Sequence, residues 1–143
     1  MKVKRIFSAF PLMAVAVIAV SMVLGCGSAS GPRLGTVSGT VTLNGKPLPD
    51  ATVSFSNADN RPSVGKTDAS GHYELQFTRE RMGAIVGENV VRITVATVEG
   101  EGVKPKRETI PAMYNTDSEL RYEVKAGAND DANFDLKFSG GRG

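Results

Sequence analysis

Few side chains in this sequence could do chemistry, and they are scarce or scattered. There is one histidine, His72, and one cysteine, Cys26. Catalysis of the Ser-His-Asp kind needs an imidazole held by a carboxylate beside a hydroxyl. Near His72 stand only Ser70 and Glu74, at spacings with no distinctive pattern. Over residues 72–78 the alternation puts His72, Glu74 and Gln76 on one strand face and Tyr73, Leu75 and Phe77 on the other. His72 is therefore expected on a solvated face. One histidine cannot assemble a His-rich metal centre, and no second cysteine is there to help. Asp50, Asp68, Asp130 and Asp131 lie in turn-like sequences. Calcium asks for about six to eight converging oxygens, whereas aspartate in a turn ordinarily accepts from its own following backbone. Asn129-Asp130-Asp131 is the densest such cluster. No catalytic residue, metal or cofactor is expected. Met113 and Tyr114, beside Pro111, are the candidate ligand-binding residues, as an exposed apolar patch. The competing reading has them covering one edge of the core.

Cys26 matters because of where it stands. Lys2, Lys4 and Arg5 precede an uncharged run, residues 6–24, rich in Ala, Val, Ile, Leu and Met. A basic start, an apolar core and a small residue before the cut describe a secretory signal. Val23-Leu24-Gly25-Cys26 resembles the lipobox of bacterial lipoproteins. The resemblance implies diacylglycerol on the Cys26 thiol, cleavage between Gly25 and Cys26, and acylation of the new amine. It also accounts for an odd cysteine in an exported chain. More than one acyl chain holds stably where a single chain binds marginally. The competing reading is an uncleaved signal anchor with an incidental thiol. Gly27 stands where lipoproteins retained in the inner membrane of some bacteria carry Asp, so the expected location is the outer membrane.

The implied organisation is a lipoprotein signal peptide over residues 1–25, a lipid-anchored flexible tether over 26–33, a domain over 34–139 and a disordered tail over 140–143. The chain carries 17 basic and 15 acidic residues, and loss of Lys2, Lys4 and Arg5 leaves 14 against 15. No basic face remains to argue for nucleic acid.

The elements that position these residues read as short strands. In residues 35–55, Val37, Val41 and Leu43 alternate with polar residues, Asn44-Gly45 marks a tight turn, and Ala51, Val53 and Phe55 alternate again. This predicts a strand, a turn and a returning strand. Residues 63–67 form a short strand with Val64 facing in, and Asp68-Ala69-Ser70-Gly71 forms a turn. Residues 79–87 break the rhythm and read as a loop around Gly83 and Gly87. Val91, Ile93 and Val95 line a central strand, and residues 99–108 form an exposed polar loop. Leu120, Tyr122 and Val124 line another strand, residues 127–131 a turn, and Phe134, Leu136 and Phe138 the last strand. About seven strands with turn signals between them and no amphipathic helix predict an all-β, antiparallel Greek-key sandwich.

Three segments carry a family resemblance: Val37-Ser38-Gly39-Thr40-Val41, then residues 45–53 (GKPLPDATV), then Thr67-Asp68-Ala69-Ser70-Gly71 followed by the aromatic strand at Tyr73. Together they resemble the carboxypeptidase regulatory-like domain, a transthyretin-like (prealbumin-like), Ig-like sandwich. In small lipoproteins of this type, a segment similar to Ile110-Pro111-Ala112-Met113-Tyr114-Asn115 precedes one like Ser118-Glu119-Leu120, and a segment similar to Asn133-Phe134-Asp135-Leu136 closes the domain. The resemblance implies a non-catalytic module used for folding support, adhesion or assembly. The implied partners are the membrane, through the anchor, and an envelope protein or glycan. A carbohydrate or small-ligand binder is the alternative, and Tyr114 is its one plausible surface aromatic. The related 5-hydroxyisourate hydrolases use several histidines, and this chain has one.

Overall fold

A computed structural model describes residues 31–97, 102 and 104–138. Gly25 and Cys26, with the expected signal, most of the tether and the tail, lie outside the described residues. Within them the chain is all-β, with twelve strands and a single 3-10 turn arranged in two sheets. No helix among the described residues is long and apolar enough to cross a membrane.

The first sheet is built around one strand, β1 (Leu34–Leu43). Its burial alternates, with Gly35, Val37, Gly39 and Val41 inward, as period two requires. Three short strands pair antiparallel along one side: β2 (Lys46–Pro47), β5 (His72–Glu74) and β8 (Ala84–Ile85). Along the other side, β11 (Gly127–Asn129) and β12 (Phe134–Leu136) pair parallel. The second sheet is antiparallel throughout. Its order is β10 (Arg121–Val124), β9 (Gly87–Thr94), β3 (Thr52–Ser56), β4 (Ser63–Lys66), β6 (Gln76–Thr78) and β7 (Arg81–Met82).

Both sheets contribute to one core, as in a β-sandwich. Val37, Val41, Tyr73, Phe134 and Leu136 from the first sheet meet Val53, Phe55, Val91, Ile93 and Val124 from the second. Burial of each such side chain is worth about 1.5–3 kcal/mol. Phe55, Tyr122 and Phe134 form an aromatic cluster between the sheets, with ring centroids 5.6, 6.2 and 6.5 Å apart and tilted to edge-on geometry.

The structure departs from the sequence reading where strands change sheets. Asn44 and Gly45, at φ 51° and 80°, make the expected two-residue turn, and Leu43 faces Lys46 across it. The returning arm ends after Pro47. Residues 52–56 then lie in the other sheet, paired with β4 and β9 rather than with β1. The expected strand over 72–78 is split: β5 joins the first sheet and β6 the second. Leu75 sits at the corner, its N–H donating to the Val37 carbonyl at 3.0 Å. Such splits raise the strand count above seven.

Other differences are local. Val64 points outward at 41% exposure while Ser63 and Gly65 point in, because the inward position beside it lies under the Glu74 main chain, where a Cβ on Gly65 would come within 2.3 Å of the carbonyl oxygen. Phe138 is 44% exposed rather than buried. Residues 81–85 pair as β7 and β8 instead of looping. Residues 127–129 form β11 in place of a turn. The end of the expected tether is already attached to the domain, since Pro32 and Arg33 carbonyls accept from Arg81 Nη2 and the Val86 N–H at 2.7 and 3.0 Å.

Candidate functional site

A concavity lies where the chain passes from β5 in the first sheet to β6 in the second. The main chain at Glu74 passes directly over β4, and a Cβ on Gly65 would sit 2.3 Å from the Glu74 carbonyl oxygen. Bare backbone at Gly65 is therefore what permits the crossing. Beyond it, the outward side chains of β4, β5, β6 and β7 surround an open trough of about 630 Å³. Arg61, Val64, Lys66, His72, Glu74 and Met82 are among its walls. Val64 and Met82, 41% and 47% exposed, give it an apolar floor. Charges of both signs stand around that floor. Lys66 also meets Asp50 at 3.2 Å in an exposed ion pair, of the kind that contributes little to stability.

Among the described residues, Ser70, His72 and Asp68 at the trough do not form a triad. Ser70 is beside His72 in sequence, but its hydroxyl donates to Asp68 Oδ1 at 2.7 Å. The backbone N–H groups of Ser70 and His72 donate to the same oxygen at 2.9 and 3.0 Å. The Asp68 carboxylate is thus consumed by its own turn, as expected of an aspartate there. The Ser70 hydroxyl, with the two backbone donors, holds it below the usual carboxylate range against the opposing effect of desolvation. His72 is exposed on the outer strand face, and its ring makes no hydrogen bond among the described residues. The arrangement can bind through mixed apolar and charged contacts. Among the described residues, Ser70 is engaged by Asp68 and the His72 ring has no hydrogen-bond partner to orient it.

The other candidates resolve into structural roles. Asn129, in the cluster considered for calcium, is 5% exposed. Its side-chain amide takes the Lys125 N–H at 2.9 Å and donates to the carbonyls of Lys125 and Thr36 at 2.8 and 3.0 Å. Asp131 accepts from the Tyr122 hydroxyl at 2.6 Å, and Asp130 from Ser38 Oγ at 3.1 Å. Burial, then this acceptor, pushes the Tyr122 phenol up to about 12. Among the described residues no three His, Cys, Asp or Glu side chains converge to hold a metal.

The proposed Met113–Tyr114 patch is divided. Both lie on the 3-10 turn Ala112–Tyr114. Met113 is 50% exposed, but Tyr114 is 9% exposed and part of the core. The Tyr114 hydroxyl donates to the Lys137 carbonyl at 3.2 Å and accepts from the Lys137 N–H at 3.1 Å. Tyr114 is therefore core cover and not an exposed aromatic: its ring is buried in the core, and its hydroxyl satisfies the Lys137 backbone beside β12.

One structurally important residue escaped the sequence reading. Glu108 lies at the end of a polar run with no signal to mark it. Its carboxylate accepts from the Thr94 hydroxyl and from the backbone N–H groups of Val95, Thr109 and Ile110. Partial burial raises its pKa, and these donors outweigh that and leave it lowered. Thr97 and Lys106 pair above it through their backbones. No family model, curated protein or solved structure matches this chain.

Proposed function

We propose that this protein is exported, anchored to the cell envelope at the outer membrane through lipid on Cys26, and used as a non-enzymatic binding or structural module. Its domain is read as a Greek-key sandwich of the carboxypeptidase regulatory-like type. The observation that carries the proposal is the position of the one cysteine. Cys26 closes the uncharged run of residues 6–24 directly after Gly25, a few residues ahead of β1. The dispersal of His72, Ser70 and the aspartates into turns and strand faces supports a task without chemistry. The trough beside β4 and β5 is the surface offered to an envelope protein. A glycan or small ligand, the alternative, draws on the same trough, without Tyr114 as a stacking platform.

Intact mass and membrane fractionation of natively expressed protein test the proposal, with Cys26→Ala in parallel. A product beginning at Cys26, carrying acyl chains and lost from membranes on substitution, is the expected result. An unmodified product free in the periplasm or medium would overturn the anchor.

A further inference from the structure

The outer edge of the second sheet is self-complementary, and we infer that it pairs with a second copy of this chain. Among the described residues, β10 is the terminal strand of that sheet and is paired on one side only, to β9. The Val91 N–H donates to the Leu120 carbonyl at 3.0 Å. This sets the phase of the ladder: Leu120, Tyr122 and Val124 direct their backbone groups toward β9, and Arg121, Glu123 and Lys125 direct theirs away. At Lys125 the outward groups are already taken by the Asn129 amide. Among the described residues nothing pairs with the outward backbone groups of Arg121 and Glu123.

The side chains above this edge alternate in sign. Glu119, Arg121, Glu123 and Lys125 are all exposed and share one face. Charges on an edge strand ordinarily keep edges apart. Here they select one pairing. Two copies of β10 running antiparallel about Tyr122 place Arg121 opposite Glu123 of the second copy, and Glu123 opposite its Arg121. These are also the residues whose outward N–H and C=O groups can exchange hydrogen bonds. The pairing stops there, because the Asn129 amide fills the ladder position beside Lys125. A register centred on Glu123 sets Glu123 against its own copy and Arg121 against Lys125. One centred on Arg121 sets Arg121 against its copy and Glu119 against Glu123. Both oppose like charges, which destabilises cross-strand pairs. In the favoured register the half-buried Tyr122 rings meet at the closely spaced, non-hydrogen-bonded position. The pairing joins two second sheets into one and is isologous, as a two-fold dimer requires. It does not depend on lipidation of Cys26.

Sedimentation velocity of the full chain in mild detergent, over a concentration series, tests this. Wild type is expected to form a dimer. Arg121→Glu or Glu123→Arg alone turns both charge pairs repulsive and is expected to weaken the dimer by about tenfold or more. Mixing the two variants restores complementary pairs and is expected to restore the dimer as a heterodimer. Association through the apolar leader or its lipid would not respond to either substitution. A monomer at every concentration, a dimer indifferent to the single reversals, or variants that fail to recombine would each overturn the inference.

Discussion

The two sheets are held together by different means. In the centre of the second, β3 pairs β9 over five residues and β4 over four, so continuous backbone ladders and alternating apolar side chains carry the structure there, while β6 and β7 add only short pairings. In the first, β1 pairs each partner over only two or three residues, and polar side chains complete what the short ladders lack. Asn133 Oδ1 accepts from the Thr40 N–H at 2.8 Å. The Asn44 amide takes the N–H and carbonyl of Phe138 at 2.9 and 2.8 Å. Thr42 and Ser38 hydroxyls donate to Asp135 and Asp130, and the buried Tyr73 hydroxyl donates to the Ala132 carbonyl at 2.6 Å. A side-chain amide presents the same donor and acceptor pair as a peptide group. It can therefore extend a ladder where the chain turns away, at the cost of leaving buried groups unpaired if it is removed.

The contrast makes the sheets fragile in different ways. The largest expected effect is at Gly39 in β1, where a Cβ would lie 2.0 Å from the Ala132 carbonyl oxygen. The obstacle is backbone, which cannot rotate aside. Gly39→Ala should cost about 3 kcal/mol in urea unfolding, the upper part of the overpacking range, and should speed amide exchange at residues 127–136 more than in β9. Equal acceleration in both sheets would remove the contrast.

A middle-sized effect compares a lost amide with a lost methylene. Asn129→Ala strips partners from Lys125 and Thr36 and should cost about 2 kcal/mol, given the penalty for buried polar groups left unpaired. Ile93→Val, in the ladder-built second sheet, should cost about 1 kcal/mol. A larger loss at Ile93 in the same denaturation series would show that packing governs both sheets.

The remaining effect is confined to alkaline solution. The Tyr122 phenol is raised from 10.0 to about 12 by burial and by Asp131, and burial raises Tyr73 as well. The unfolded chain therefore loses these protons first and binds fewer than the native state. This contribution is fully present below pH 10 and is lost as pH rises toward about 12. Tyr122→Phe should flatten part of that decline in thermal unfolding across the same window, and an unchanged slope would show that Tyr122 does not contribute.

These differences also set how much could be read from the chain. The second sheet was largely legible. Val53 with Phe55, and Val91 with Ile93 and Val95, share faces as their period-two spacing predicts, and each is buried. The exceptions are Val64, whose four-residue strand is too short for alternation to fix its phase, and β7, which forms in a segment expected to loop. The first sheet was less legible. Gly127-Ala128-Asn129 has turn composition, and nothing near it in sequence shows that Asn129 will meet a carbonyl 93 residues away. Tyr114 was ambiguous for the same reason, since its hydroxyl partner, Lys137, is 23 residues on.

By itself the sequence determined the period-two faces, the turn at Asn44-Gly45, the self-bonded turn at Asp68 and the exposure of His72. Each of these depends on residues within a few positions of one another. Tertiary structure alone decided which sheet a strand joins, where the segment over 72–78 divides at Leu75, which amides stand in for peptide groups, and which edge is left open at Arg121 and Glu123. Alternation says which side chains share a face but not which ladder receives the backbone, and that choice is made by contacts between segments far apart in the chain.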